Sequence, residues 1–244
     1  MRSKSARLDR FLSEAAGIRR RDVRRVLAQG RVALNGFPAF DIQQRVGEFC
    51  QVSLDGELLQ NKQPRYLMLH KPKGVVSATI DHQHTTVVDL LDEKDRHDMH
   101  IAGRLDLHSS GLLLLTNDGR FSRYLTLPEQ KIAKVYKVEV EHPITDAYAP
   151  AFAEGMYFGY EDITTLPAKL VILSETVAEV TLVEGRYHQI KRMFGRFRNP
   201  VLALHRLSIG NILLDESLMP GDYRPLTQAE LSGFYQHLNA LPGQ

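Results

Sequence analysis

A single acid stands inside Gly103-Arg104-Leu105-Asp106-Leu107-His108-Ser109-Ser110-Gly111, and four consecutive leucines carry that stretch into Thr116-Asn117-Asp118-Gly119. A carboxylate on a short polar link between glycines, just ahead of an apolar run, is placed for proton transfer or nucleophilic attack from a rigid pocket. Residues 112–115 have no polar alternation, so they read as a strand buried on both faces, bounded by Gly111 and the Asn-Asp-Gly turn. Asp106 then lies just upstream of a core strand, where loss of water would raise its pKa and neutralise it unless a cation or hydrogen-bond donors hold it ionised. Arg104, two residues away, and a Lys or Arg from a distant part of the chain are both candidates for that partner. An isolated Asp before a strand is ordinarily a turn or cap residue, so the partner decides between chemistry and structure.

Two further segments could complete such a site. Residues 134–141 alternate cleanly: Tyr136, Val138 and Val140 share one face, and Lys137, Glu139 and Glu141 the other, so Tyr136 points inward with the valines. In Glu184-Gly185-Arg186-Tyr187-His188-Gln189-Ile190-Lys191-Arg192-Met193-Phe194, the residues Ile190, Met193, Phe194 and Phe197 form a helical stripe. That stripe turns Lys191, Arg192 and Arg196 toward other surfaces until Pro200 ends the run. Residues 65–70 read as a strand running into Lys71-Pro72-Lys73-Gly74, a turn with two lysines around a proline.

The elements that must carry these groups follow from charge and periodicity. The chain has 244 residues, 43% of them hydrophobic, enough for one substantial core and a small accessory domain. Its net charge of +2 hides an asymmetry: residues 1–31 hold ten Lys or Arg against three Asp or Glu, and the remainder twenty-one against twenty-six. That polarity points to an anionic partner at the N-terminal end. Leu8, Phe11, Leu12 and Ala15 repeat at helical spacing and stop at Gly17; Val23, Val26 and Leu27 do so and stop at Gly30. In the second helix Arg19, Arg20, Arg21, Arg24 and Arg25 fall mainly away from the apolar stripe, a guanidinium-rich surface suited to a phosphate backbone. Short strands are expected at 32–34 and 49–54, with turns at Asn35-Gly36 and Asp55-Gly56. One cysteine, Cys50, excludes an internal disulfide and a cysteine-rich zinc site. The histidines show no metal-ligand spacing, the basic N-terminus lacks the apolar run of a secretory signal, and no stretch is apolar and long enough to span a bilayer. A cytoplasmic, metal-free protein is the expectation.

The central stretch, Gly-Arg-Leu-Asp followed by small hydroxyl residues, Gly, an apolar run and Thr-Asn-Asp-Gly, resembles the signature of the pseudouridine synthases, in the RsuA branch acting on small-subunit ribosomal RNA. The resemblance implies that Asp106 is the catalytic residue. This chain differs at Leu107-His108-Ser109-Ser110, where relatives often carry Asp or Asn and then Thr; serine can make the same hydroxyl hydrogen bonds. Lys134-Val135-Tyr136 resembles the family's Lys-x-Tyr motif, whose tyrosine stacks on the target base. The Gly185-to-Arg192 segment resembles the element whose basic residue pairs with the catalytic Asp, and by position that residue is Lys191, with Arg192 a possible substitute or phosphate contact. Lys71, Lys73, Arg104, Arg186, His188, Gln189, Arg192 and Arg196, together with the five arginines of the second helix, are the expected RNA contacts. The first sixty residues resemble the S4 RNA-binding domain, on Arg7-Leu8-Asp9-Arg10-Phe11-Leu12 and on Gly30-Arg31-Val32-Ala33-Leu34-Asn35-Gly36.

Converting uridine to pseudouridine breaks the N1 glycosidic bond, turns the uracil over while it stays bound, joins C5 to C1′ and removes the C5 proton. No redox change or energy source enters, so no cofactor is implied. Ionised Asp106 would begin cleavage by attacking the sugar or by taking its 2′ proton, and the uridine would first leave its stack at a cost of a few kcal/mol. Strands and short helices alternate without regular βαβ spacing beyond residue 65, so an α+β fold is expected. Its parts are an S4-like domain at 1–60, a linker at 61–64, and at 65–244 a catalytic domain with a mainly antiparallel mixed sheet flanked by helices. The implied partner is 16S ribosomal RNA at uridine 516, free or within an assembling small-subunit particle, bound by a monomer. A synthase acting on 23S RNA and a non-catalytic S4-type assembly protein are the alternatives. A glycoside hydrolase would require a second carboxylate facing Asp106, and Asp118 is the nearby candidate.

Overall fold

The computed structural model describes residues 5–240, so the start of the basic N-terminus, where a secretory signal was sought, lies outside the described residues. Chain contacts divide the molecule into two compact units, Met1–Arg65 and Tyr66–Gln244.

In the first unit, β1 (Ala6–Arg7), α1 (Leu8–Ala16), α2 (Arg20–Ala28), β2 (Val32–Leu34), β3 (Phe37–Pro38), β4 (Arg45–Val46), β5 (Val52–Leu54) and β6 (Glu57–Gln60) follow in order. Gly17 ends α1 in the left-handed region at φ +66°, a conformation that costs glycine nothing. Leu8 and Leu12 of α1 meet Val23, Val26 and Leu27 of α2 over Val32, Leu34, Val46 and Val52, one small apolar core. Asn35-Gly36 and Asp55-Gly56 both have positive φ at their two residues, the backbone of tight hairpin turns, and they set the antiparallel order β3-β2-β5-β6. The strand expected at 49–54 begins only at Val52, because Cys50 N–H closes a turn on the Gly47 carbonyl at 3.2 Å. Arg19, Arg20, Arg21, Arg24 and Arg25 are all exposed, opposite the buried valines.

The second unit runs β7 (Tyr66–Lys71), α3 (Glu93–Arg96), β8 (His100–Ala102), β9 (Ser110–Thr116), α4 (Gly119–Thr126), β10 (Lys134–Val140), α5 (Tyr148–Glu154), β11 (Tyr157–Phe158), β12 (Ile163–Thr164), β13 (Lys169–Ser174), β14 (Val177–Leu182), α6 (Gln189–Gly195), β15 (Val201–Ile209), β16 (Ile212–Leu213), β17 (Tyr223–Pro225) and α7 (Ser232–Ala240). Its described residues form a nine-stranded sheet, β13-β14-β10-β15-β9-β7-β17, with β16 on β15 and β8 on β9. Every pairing is antiparallel except β15 with β9, so the fold is α+β on a mainly antiparallel mixed sheet. The leucine run is explained by β9's central position. Leu113 and Leu115 join the core beneath α5 and α6, while Leu112 and Leu114 join the core beneath α4 and α7. Among the described residues no helix is long and apolar enough to cross a membrane.

Asp118 caps α4. Its buried carboxylate accepts from Arg120 N–H at 2.9 Å and from the Tyr66 hydroxyl at 2.9 Å. It also lies at the far end of β9 from Asp106, about 20 Å away along the strand, well beyond the separation of a hydrolase carboxylate pair.

β15 approaches β9 most closely at Gly111, which has φ +105° and whose missing Cβ would overlap the Arg206 carbonyl. Gly111→Ala should therefore cost about 2–4 kcal/mol of stability in urea titrations, whereas Gly119→Ala, facing open space, should cost less than about 1 kcal/mol.

Candidate active site

Asp106 sits on the link between β8 and β9, and that link is tied down along its length. Ser77 Oγ donates to the Leu105 carbonyl at 2.7 Å and accepts from Leu105 N–H at 3.0 Å; Gly74 N–H reaches the Leu107 carbonyl at 2.8 Å. Ser109 N–H closes a turn onto the Asp106 carbonyl at 3.0 Å. Two buried cations hold the remaining carbonyls. Arg206 of β15, 1% exposed, donates from Nε to the Leu112 carbonyl at 2.7 Å and from Nη2 to the Gly103 carbonyl at 3.0 Å, with Nη1 3.4 Å from the Arg104 carbonyl. Lys71 of β7, fully buried, donates from Nζ to the Ser109 carbonyl at 2.8 Å and to the Pro72 carbonyl at 2.9 Å.

The Asp106 carboxylate projects from this stapled link and stays about one-third exposed. Lys191 Nζ lies 3.3 Å from its Oδ2, and His188 Nε2 lies 3.3 Å from the same oxygen. Both come from the start of α6, and a network around buried Glu184 fixes the turn that delivers them. Glu184 accepts from Gln189 Nε2 at 2.6 Å, from Arg186 Nε at 2.9 Å and from Leu166 N–H at 2.9 Å, while Gln189 Oε1 accepts from Arg186 N–H at 3.1 Å. His188 itself takes the left-handed region at φ +49° and stacks on exposed Tyr187, ring centroids 3.9 Å apart. Beside them is a cleft of about 100 Å³ whose apolar lining is Leu105, Tyr136, Leu182, Ile190 and Leu204, with Arg104, Arg186, His188 and Lys191 also lining it. A lone ionisable acid, a lysine against it, and a buried aromatic ring beside an apolar wall make a pocket for one small heterocycle attached to a phosphate chain.

Residues 65–195 match the RNA pseudouridylate synthase family. The chain belongs to that family. It is 52% identical over 226 residues to the ribosomal small subunit pseudouridine synthase A of Pseudomonas aeruginosa, covering 92% of this chain and 98% of that protein. The protein of the same name from Vibrio cholerae is 42% identical over 94% of this chain and all of its own length. The crystal structure of a pseudouridylate synthase, 39% identical, superposes with a TM-score of 0.68 over 93% of this chain and 98% of its own.

As a pseudouridine synthase the chain is an isomerase, and several of the expected RNA contacts have to be reassigned in it. Lys71 is fully buried, with its ammonium spent on two carbonyls, so it supports the Asp106 link instead of meeting RNA. Gln189 is 2% exposed and its amide is committed to Glu184 and Arg186. Arg192 forks onto Glu161 with two bonds of 2.6 Å and lies over the Phe158 ring at 3.7 Å, which removes it as a substitute for Lys191. Lys73, Arg104, Arg186 and Arg196 are exposed, and Arg186 shares its Nε with Glu184. The cation at Asp106 is the distant Lys191; Arg104 contributes its carbonyl to Arg206. Sequence reading overlooked Arg206, Glu184 and the supporting role of Lys71, and it gave His188 no link to the acid. The one available signal for Arg206 was a charged residue among the apolar positions of a strand.

Burial pushes the Lys71 ammonium down to about 8; the Asp106 charge pulls it back up and Arg206 pushes it further down. Unfolded chains hold that proton to the ordinary lysine range, so between those values the unfolded state binds more protons and stability rises with pH. The unfolding free energy of the wild type should therefore climb relative to that of Lys71→Met between about pH 8 and pH 10. Parallel pH profiles for the two proteins in denaturant titrations would contradict this.

Proposed function

We propose that this protein isomerises a uridine of small-subunit ribosomal RNA to pseudouridine, uridine 516 of 16S RNA being the favoured target, with Asp106 as the catalytic carboxylate. The single observation carrying the catalytic assignment is the Asp106 carboxylate 3.3 Å from Lys191, beside a cleft walled by Tyr136. Lys191 sets a positive charge against the carboxylate, which opens the glycosidic bond by attack on the sugar or by removal of the 2′ proton. Tyr136 holds the freed uracil by stacking, a contact without directional bonds that either face of the ring can make, so it serves the base before and after the ring turns over. The exposed arginines of α2 read as phosphate contacts of an S4-type domain, and extended relatives named for small-subunit RNA support the choice of substrate. The chain works in the cytoplasm, where that RNA is made and folded.

Asp106→Asn should abolish pseudouridine formation, read by nucleoside chromatography of digested RNA, and leave RNA binding nearly unchanged; residual turnover near wild type would remove Asp106 from the mechanism. Lys191→Met should lower turnover roughly 10²-fold with little effect on affinity. Replacing Arg21, Arg24 and Arg25 together by Ala should weaken RNA binding and flatten the slope of log affinity against log salt by about 2 to 3. Cells lacking the gene should lose the modification at 16S uridine 516, and loss from 23S RNA in its place would reassign the substrate.

A further inference from the structure

Ser109 Oγ is, among the described residues, the one buried side-chain polar atom with no hydrogen-bond partner. The residue is 1% exposed and lines the cleft that holds Asp106. A buried hydroxyl left without a partner costs on the order of 1–3 kcal/mol, so its retention calls for an explanation. Nothing else about Ser109 is loose: its N–H is bonded to the Asp106 carbonyl at 3.0 Å and its own carbonyl to Lys71 Nζ at 2.8 Å. The backbone that carries the hydroxyl is thus tied to the backbone of the acid.

Register says what lies beside it. Tyr136 pairs with Arg206, which pairs with Gly111; one step along, Val138 pairs with Leu204, and Ser109 precedes the His205–Ser110 pair by one residue. Tyr136 and Leu204 therefore share one face of the sheet, and Ser109, just ahead of β9, lines the same cleft. Side chains stand roughly perpendicular to a sheet, so a flat ring stacked on Tyr136 stands on edge over the neighbouring floor, where Leu204 is apolar and Ser109 offers a hydroxyl. Asp106, Lys191, His188, Arg186 and Arg104 supply the charged groups of the lining, which suit a sugar and its phosphates.

We infer that the Ser109 hydroxyl is a specificity-determining group that donates a hydrogen bond to a carbonyl of the bound uracil, both before and after the ring turns over. Uracil has carbonyl oxygens on both sides of N3–H. Turning the ring about the line from N3 to C6 exchanges N1 with C5, as the reaction requires, and puts one carbonyl where the other had been. A single fixed donor therefore serves the substrate and the isomerised base equally, and no group has to move with the ring.

The inference rests on the uridine-isomerising reading above, and the test separates the two. An RNA fragment that the wild type isomerises would be prepared with uridine, 2-thiouridine or 4-thiouridine at the target position, sulfur being a poor acceptor. Wild type should lose roughly three- to tenfold in kcat/KM on a thio substrate, and Ser109→Ala should lose the same on uridine and nothing further on that thio substrate. Ser109→Thr, which keeps the hydroxyl, should restore both the rate and the thio sensitivity. The Tm of Ser109→Ala should be unchanged or raised, since the substitution removes an unpaired polar group. An undiminished thio effect in Ser109→Ala, or a fall in Tm that accompanies its fall in rate, would overturn the inference. Absence of turnover by the wild type on every uridine-containing ribosomal fragment would overturn the isomerase reading instead.

Discussion

The close approach of two parallel strands governs the cleft. β15 can lie against β9 at Gly111 only because that residue has no Cβ and accepts φ +105°. The approach sends the Arg206 side chain beneath the link that carries Asp106, where its guanidinium gathers the carbonyls of Gly103, Arg104 and Leu112. Gly103 and Arg104 lie in the link between β8 and β9, outside the strand ladder, and buried carbonyls need donors. A rigid planar fork that never loses its charge suits a task with several acceptors at fixed angles.

Lys71 does a related job from the other side with a different kind of cation. Its ammonium is compact, gives up its proton more readily when buried, and is pushed down to about 8 here. Two positive side chains thus lie beneath the Asp106 loop, while the acid itself remains partly in water and meets Lys191 and His188 at the surface of the cleft. The arrangement separates support from chemistry. Buried cations hold the backbone, and a more exposed lysine, able to follow the carboxylate, sits against the acid. The Glu184 network does for α6 what Arg206 does for the Asp106 link, holding the turn from which His188 and Lys191 project.

Much of this was legible in the residues alone, for local reasons. The arginine helix and its partner, the Asn35-Gly36 and Asp55-Gly56 turns, the buried run at 112–115 and the inward Tyr136 all follow from periodicity or from turn chemistry acting over a few residues. Errors arose where a residue type has two uses. Lys71 and Gln189 were read as RNA contacts, and Arg192 as a substitute for Lys191, because they are polar and lie in basic motifs, yet they are used to hold carbonyls, a glutamate network and Glu161. Motif membership says that a side chain matters without saying which way it points.

The sequence by itself determined the elements, the division of apolar and basic faces, and the presence of one reactive acid in a glycine-bounded link, because those depend on neighbours within a turn or a strand. Only the tertiary structure decided which cation meets that acid and which cations lie buried under it. Lys191 and Arg206 are some 85 and 100 residues from Asp106 along the chain, and their distances to it depend on strand order and register, which side-chain periodicity does not encode.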